Sequence, residues 1–194
     1  MRRIRFALLA IVLGFCAAAD LASAGEAEAW AALHAGRHVA LMRHADAPGG
    51  AGDPPGFRLG DCATQRNLSA KGRADALRIG ARLRSEGIAV ERILSSPWCR
   101  CVDTATLVGV GPVQVEPAFA NAFVLSGRRD ALREGGQAVI GRWRGPGVLL
   151  VVTHGENIRA LAGRSPATAE IVVVAFGADG TLREIGSLAA QARR

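Results

Sequence analysis

The chain has no tyrosine, and its aromatic residues are six phenylalanines and three tryptophans among 194 residues. Lys71 is its only lysine, so all other positive charge is arginine. No basic stripe is interleaved with aromatic side chains that could stack on bases, and nucleic acid is therefore not an expected partner. A Walker loop, a dinucleotide-binding Gly-x-Gly-x-x-Gly and a His-Glu-x-x-His metal helix are all missing. Ser95-Ser96 sits outside any Gly-x-Ser-x-Gly elbow, which gives a serine hydrolase no footing. The apolar run from Phe6 to Ala19 falls short of the roughly 20 residues a membrane-spanning helix needs.

That run follows a basic segment, Met1-Arg-Arg-Ile-Arg5, and precedes the small residues Ala22-Ser23-Ala24. This is the order of a secretory signal peptide. It assigns residues 1–24 to export and 25–194 to one mature domain, periplasmic or secreted, without a stable membrane span after cleavage; an uncleaved anchor is the alternative. Bulky Phe15 before Cys16 argues against a lipoprotein. The net charge of +7 falls to +5 without the leader, and an arginine-heavy surface favours anionic ligands. Cys62, Cys99 and Cys101 remain, which in an oxidising compartment implies one disulfide and one spare thiol. Cys62 paired with Cys99 or with Cys101 would tie a loop to a helix start near Arg100; a Cys99–Cys101 bridge strains the geometry. A zinc site built on the three thiols lacks a fourth ligand.

Along the mature chain, periodicity predicts a helix over 26–34, a strand over 38–42 and a long Gly/Pro/Asp-rich loop over 45–67. Loops of that length in a small domain are usually functional. Ser69 reads as an N-cap for a helix over 70–86, with Ala74, Leu77 and Ala81 on its apolar face and Gly87 as its stop. Strands follow at 90–94, 113–115, 147–153, 171–176 and 182–185, and helices at 98–108, 128–143 and 156–162. Ala178-Asp179-Gly180 marks a turn between the last two strands. Strands alternating with helices predict an α/β sandwich with a largely parallel sheet.

Chemistry gathers at three strand ends. Arg43-His44 closes the first strand, Arg100 opens the helix after Ser95-Ser96-Pro97, and His154 lies between a strand and a helix. In α/β sheets such junctions meet at one edge. Helix N-termini and arginines there suit a phosphoryl group. Leu41-Met-Arg43-His44-Ala45, Ser95-Ser96 with Arg100-x-x-x-Thr104-Ala105, and Val152-Thr153-His154-Gly155 resemble the histidine phosphatase superfamily, which includes phosphoglycerate mutases and acid phosphatases. Leu68-Ser-Ala-Lys-Gly72-x-x-x-Ala76 is similar to a further stretch of that family. The resemblance implies a phosphoglycerate mutase-like, three-layer α/β/α sandwich. It also implies a phosphomonoesterase in which His44 is the nucleophile, Arg43, Arg100 and a protonated His154 hold the phosphoryl oxygens, and no metal or other cofactor is required.

A leaving alkoxide needs a proton. The mutase branch places a Glu where this chain reads Asn121. The acid phosphatase branch places the donor after the second histidine, which makes Glu156 the expected acid and Asp46 the reserve. Arg66 and Arg159 read as solvated surface with substrate binding as the alternative, and Asp53-Pro-Pro-Gly56 as either a lid or a pinned surface loop. The expected substrate is a phosphorylated small molecule, with a cell-envelope sugar phosphate as the guess. A phosphotransferase or mutase, or a non-catalytic anion-binding module, are the alternatives.

Overall fold

A computed structural model describes residues 25–177 and 180–191; the leader expected over 1–24 and two residues of the 178–180 turn lie outside the described residues. The elements are α1 (25–35), β1 (Val39–Arg43), α2 (Ala70–Ser85), β2 (Val90–Ser95), α3 (Cys99–Val108), β3 (Val113–Val115), α4 (Arg129–Gly141), β4 (Val148–Thr153), α5 (Gly155–Ala162), β5 (Ile171–Phe176) and β6 (Leu182–Leu188). The six strands form one sheet in the order β3-β2-β4-β1-β5-β6. Strands β1 to β4 pair in parallel, and β5 and β6 add an antiparallel flank. No helix among the described residues is long and apolar enough to cross a membrane.

Side chains alternate across a strand, and the central strands are apolar on both faces. Ala40 and Met42 of β1, with Val148, Leu150 and Val152 of β4, pack under Ala29 and Leu33 of α1, Ile79 and Leu83 of α2, and Ala105 and Val108 of α3. Val39, Leu41, Leu149 and Val151 face the other way, onto Ile140 of α4 and Ile158 and Leu161 of α5. Two cores on one sheet make the three layers, and the near-continuous apolar runs are what a sheet buried on both faces requires.

Ser69 caps α2 as expected, its Oγ accepting from the Gly72 N–H at 2.9 Å. The expected apolar face is wrong, however. Ala74, Leu77 and Ala81 are exposed, and Gly72, Ala76, Ile79, Gly80 and Leu83 face inward. The reason is close approach. A Cβ on Gly72 would collide with the Asp46 backbone and one on Gly80 with the Val108 carbonyl, so the helix packs through its glycines, which an apolar count overlooks.

Cys62 and Cys99 form the disulfide, and Cys101 is free and buried. The zinc reading therefore falls: two of its three thiols are bonded to each other. The bridge spans 37 residues and joins the long loop to the first turn of α3. In the chain-entropy account a crosslink of that span contributes about 3–4 kcal/mol. The Cys62→Ser, Cys99→Ser double variant should unfold at correspondingly lower denaturant, with the midpoint read by urea titration. An unchanged midpoint would mean that the loop is held by its other contacts.

Candidate active site

Neighbouring parallel strands bring the expected residues together. The His44 N–H donates to the Thr153 carbonyl and the Ser96 N–H to the Val152 carbonyl, both at 2.9 Å. The ends of β1, β2 and β4 are thereby locked side by side. Thr104 ties in α3: its Oγ1 donates to the Arg100 carbonyl at 2.6 Å and accepts from the Ala45 N–H at 3.1 Å. The result is a pocket of about 330 Å³ at the carboxyl edge of the parallel strands, with Arg43, His44, Arg66, Arg100, His154 and Glu156 in its wall.

His44 is buried, and its Nδ1 lies 2.8 Å from the Ala45 carbonyl oxygen. A carbonyl only accepts, so Nδ1 carries the proton and Nε2 keeps its lone pair. Burial lowers the pKa to about 3; the Ala45 carbonyl opposes this, and Arg100, Arg43 and Arg66 reinforce it. His154 stands 5.4 Å from His44 between ring centres, and its Nε2 meets Ser96 Oγ at 2.8 Å. Burial first, then His44 and the arginines, holds its pKa well below the usual value. The expectation of a protonated His154 thus fails for the free site: both imidazoles are neutral. Cys101 lies 3.5 Å from His154 Nε2, but burial pushes its thiol up to about 12, so it stays protonated and unreactive.

The arginines are gripped with atoms to spare. Arg43 donates from Nη1 to the Pro166 carbonyl at 2.9 Å, while its Nε is buried without a partner. Arg100 donates from both Nη atoms to Asp53, and its Nε is likewise buried and unpartnered. Orphaned buried N–H groups are rare and costly. Of the four such N–H groups among the described residues, two belong to arginines that line this pocket, a placement that suits an oxyanion.

Arg66 lines the pocket and is not solvated surface. Its Nε and Nη1 donate to the carbonyls of Gly52 and Ala47 at 2.5 and 2.6 Å. Its neighbour Gln65 accepts from the Cys99 N–H at 3.0 Å and so caps α3, whose own cap residue, Trp98, makes no side-chain bond there. The Gln65-Arg66 pair was the missed signal: adjacent long polar side chains inside a disulfide-tethered loop. Asp53 is buried against Arg100, neither on a free lid nor on a surface loop. Arg159 is exposed and pairs with Glu156 at 3.0 Å.

For the proton donor, Glu156 lines the pocket. Asp46 does not; its carboxylate accepts from Ser69 Oγ at 2.5 Å and helps hold the start of α2. Asn121 lines the wall, its Oδ1 accepting the N–H groups of Phe123 and Val124 at 3.0 and 3.3 Å. Phe123, about half exposed, adds an apolar rim. Among the described residues, no cluster of three or more His, Cys, Asp or Glu side chains is gathered for a metal ion.

Residues 39–128 match the histidine phosphatase superfamily (branch 1). No curated protein sequence matches the chain. Among solved structures, the protein histidine phosphatase SixA complexed with tungstate is 22% identical, with a TM-score of 0.57 over 79% of this chain and 97% of that one. Phosphoglycerate mutase from Thermus thermophilus is 18% identical, with a TM-score of 0.55 over 78% and 98%. A mycobacterial glucosyl-3-phosphoglycerate phosphatase is 16% identical, with a TM-score of 0.55 over 76% and 95%. At these identities the solved structures establish the fold, a mostly parallel six-stranded sheet between helices. The stretch over 39–128, which carries Arg43, His44 and Arg100, is thus similar to the histidine phosphatase superfamily.

Proposed function

We propose that the protein is an exported phosphomonoesterase that works through a phosphohistidine on His44. The observation that carries this reading is the pair of unpartnered, buried Nε–H groups of Arg43 and Arg100 beside a neutral imidazole. In the first step His44 Nε2 attacks phosphorus, the P–N bond forms and the ester P–O bond breaks. In the second, water attacks phosphorus and passes a proton to the Glu156 carboxylate, the P–N bond breaks, and inorganic phosphate leaves with Nε2 restored. Arg43 and Arg100 offset charge on the phosphoryl oxygens, and neutral His154 acts there as a hydrogen-bonding group. Fixing Nδ1 as the protonated nitrogen leaves Nε2 free to attack without prior deprotonation.

The leaving oxygen takes its proton from Glu156, which lines the pocket and pairs with Arg159 at 3.0 Å. The Glu156→Gln variant should therefore hydrolyse alkyl phosphates about 10²- to 10⁴-fold more slowly and p-nitrophenyl phosphate, whose leaving group needs no proton, nearly as fast as the parent. Equal losses on both substrates would remove Glu156 from the acid role. Turnover of p-nitrophenyl phosphate, with inhibition by tungstate, tests the whole reading: a pure protein that neither hydrolyses aryl or sugar phosphates nor binds the oxyanion is not this enzyme.

A further inference from the structure

Four N–H groups converge on the carboxylate of Asp53. Oδ1 accepts from Arg100 Nη1 at 2.7 Å and from the Arg66 backbone at 3.1 Å, and Oδ2 from the Trp98 indole at 2.9 Å and Arg100 Nη2 at 3.2 Å. The Asp53 and Arg100 side chains are 0% and 1% exposed. Burial alone would raise the Asp53 carboxyl; the bonds from Arg100, Arg66 and Trp98 outweigh it and hold the group below the usual range. Arg100 and Gly52 line the pocket and Asp53 does not, so this carboxylate sits behind the guanidinium and does not compete for the ligand's place.

A guanidinium offers distinct edges to a planar or tetrahedral anion. Asp53 occupies the edge made by the two Nη atoms. What remains is the side that carries Nε, the atom that is buried and unpartnered. We propose that Asp53 is a positioning residue that selects which edge of Arg100 meets the transferring phosphoryl group. This rests on the phosphoryl-transfer reading above. A donor held in place before reaction costs no reorganisation as charge develops, whereas a guanidinium released from Asp53 can rotate or turn its Nη edge inward. The same carboxylate fixes the backbone of Arg66 and the ring of Trp98, which stacks edge-on against His154 with centres 5.5 Å apart.

The test is p-nitrophenyl phosphate kinetics on the full domain carrying Asp53→Asn, with folding verified by thermal melts. The amide keeps the size but puts an NH2 against an N–H donor, which breaks the two-point grip. The expected result is kcat lower by about 10- to 100-fold with KM changed by about threefold or less, because the lost donor acts on the developing charge. In an Arg100→Lys background, where there is no edge to select, the same substitution should cost about threefold or less. A parent enzyme that turns over while D53N matches it, or a full D53N loss persisting in the R100K background, overturns the inference and leaves the phosphatase reading standing. A parent without turnover removes both. Should D53N not fold, nitrogen-15 spectra of the parent decide. On adding vanadate the Arg100 Nε–H resonance should shift while its Nη protons stay slowly exchanging; Nη protons that lose protection overturn the inference.

Discussion

Replacing His44 with alanine should lower kcat on p-nitrophenyl phosphate by about 10⁴- to 10⁶-fold, as removal of a covalent nucleophile does elsewhere. The magnitude follows from what the site leaves behind. Arg43, Arg100 and His154 would still bind the oxyanion, but the other nucleophilic groups nearby are poor. Cys101 is a buried thiol pushed up to about 12, and Ser96 Oγ is engaged with His154 Nε2. Tungstate affinity should consequently survive in His44→Ala within about tenfold while turnover disappears, a split expected when a group acts in the reaction and not in ground-state binding. Rapid quenching of the parent should trap a phosphoenzyme that is stable in base and labile in acid, absent from the variant. A variant with a tenth of parental activity would assign the attack to another atom.

The second large effect concerns acid. His44 has a folded-state pKa of about 3 against an ordinary 6.5. Its sign is that of a buried neutral histidine. Above pH 6.5 it contributes nothing to the pH dependence of folding. Between 6.5 and 3 the unfolded chain takes up a proton that the folded chain refuses, so stability falls as pH falls. Each pH unit costs about 1.4 kcal/mol, and the whole window about 4–5 kcal/mol. His154, lowered in the same sense, adds to the slope. Asp53 and Asp75, held low by their cationic partners, lose their own contributions further down as they protonate. Domains of this size are stable by only about 5–15 kcal/mol, so the protein should unfold on mild acidification, near pH 4. Urea titrations at pH 7, 6, 5 and 4.5 check this, and His44→Asn should flatten the slope. Equal stability at pH 7 and pH 5 would show that His44 is protonated in the fold. Catalysis should behave differently from stability: with Nε2 already unprotonated, kcat should not drop through pH 6.5 while the protein stays folded.

What could be read from the chain beforehand divides along physical lines. Arg43-His44, Arg100 and His154 were legible because each lies at or just past the end of a short strand, and parallel strands bring such ends together whatever the loops do. Asp53 and Arg66 were not legible in their roles. Asp53 meets Arg100 across 47 residues and the Arg66 backbone across 13, and nothing periodic announces contacts between loop and helix start. The Cys62 partner was ambiguous because Cys99 and Cys101 are two residues apart. On α3 Cys99 faces the loop, whereas Cys101 turns under His154. The buried face of α2 was misread because Gly72 and Gly80 let neighbouring backbone come close without contributing an apolar side chain. The neutral state of His154 depends on depth of burial, which residue identity does not give.

Three of the grips that hold the pocket's arginines end on main-chain oxygens: Pro166 for Arg43, and Gly52 and Ala47 for Arg66. Such acceptors are indifferent to the side chain at their own position. The side chains of Ala51, Phe123 and Ser165, which line the same cavity, make none of these three bonds. Under the proposed function, substitutions on this rim can change which leaving group is accepted while those three bonds stay in place.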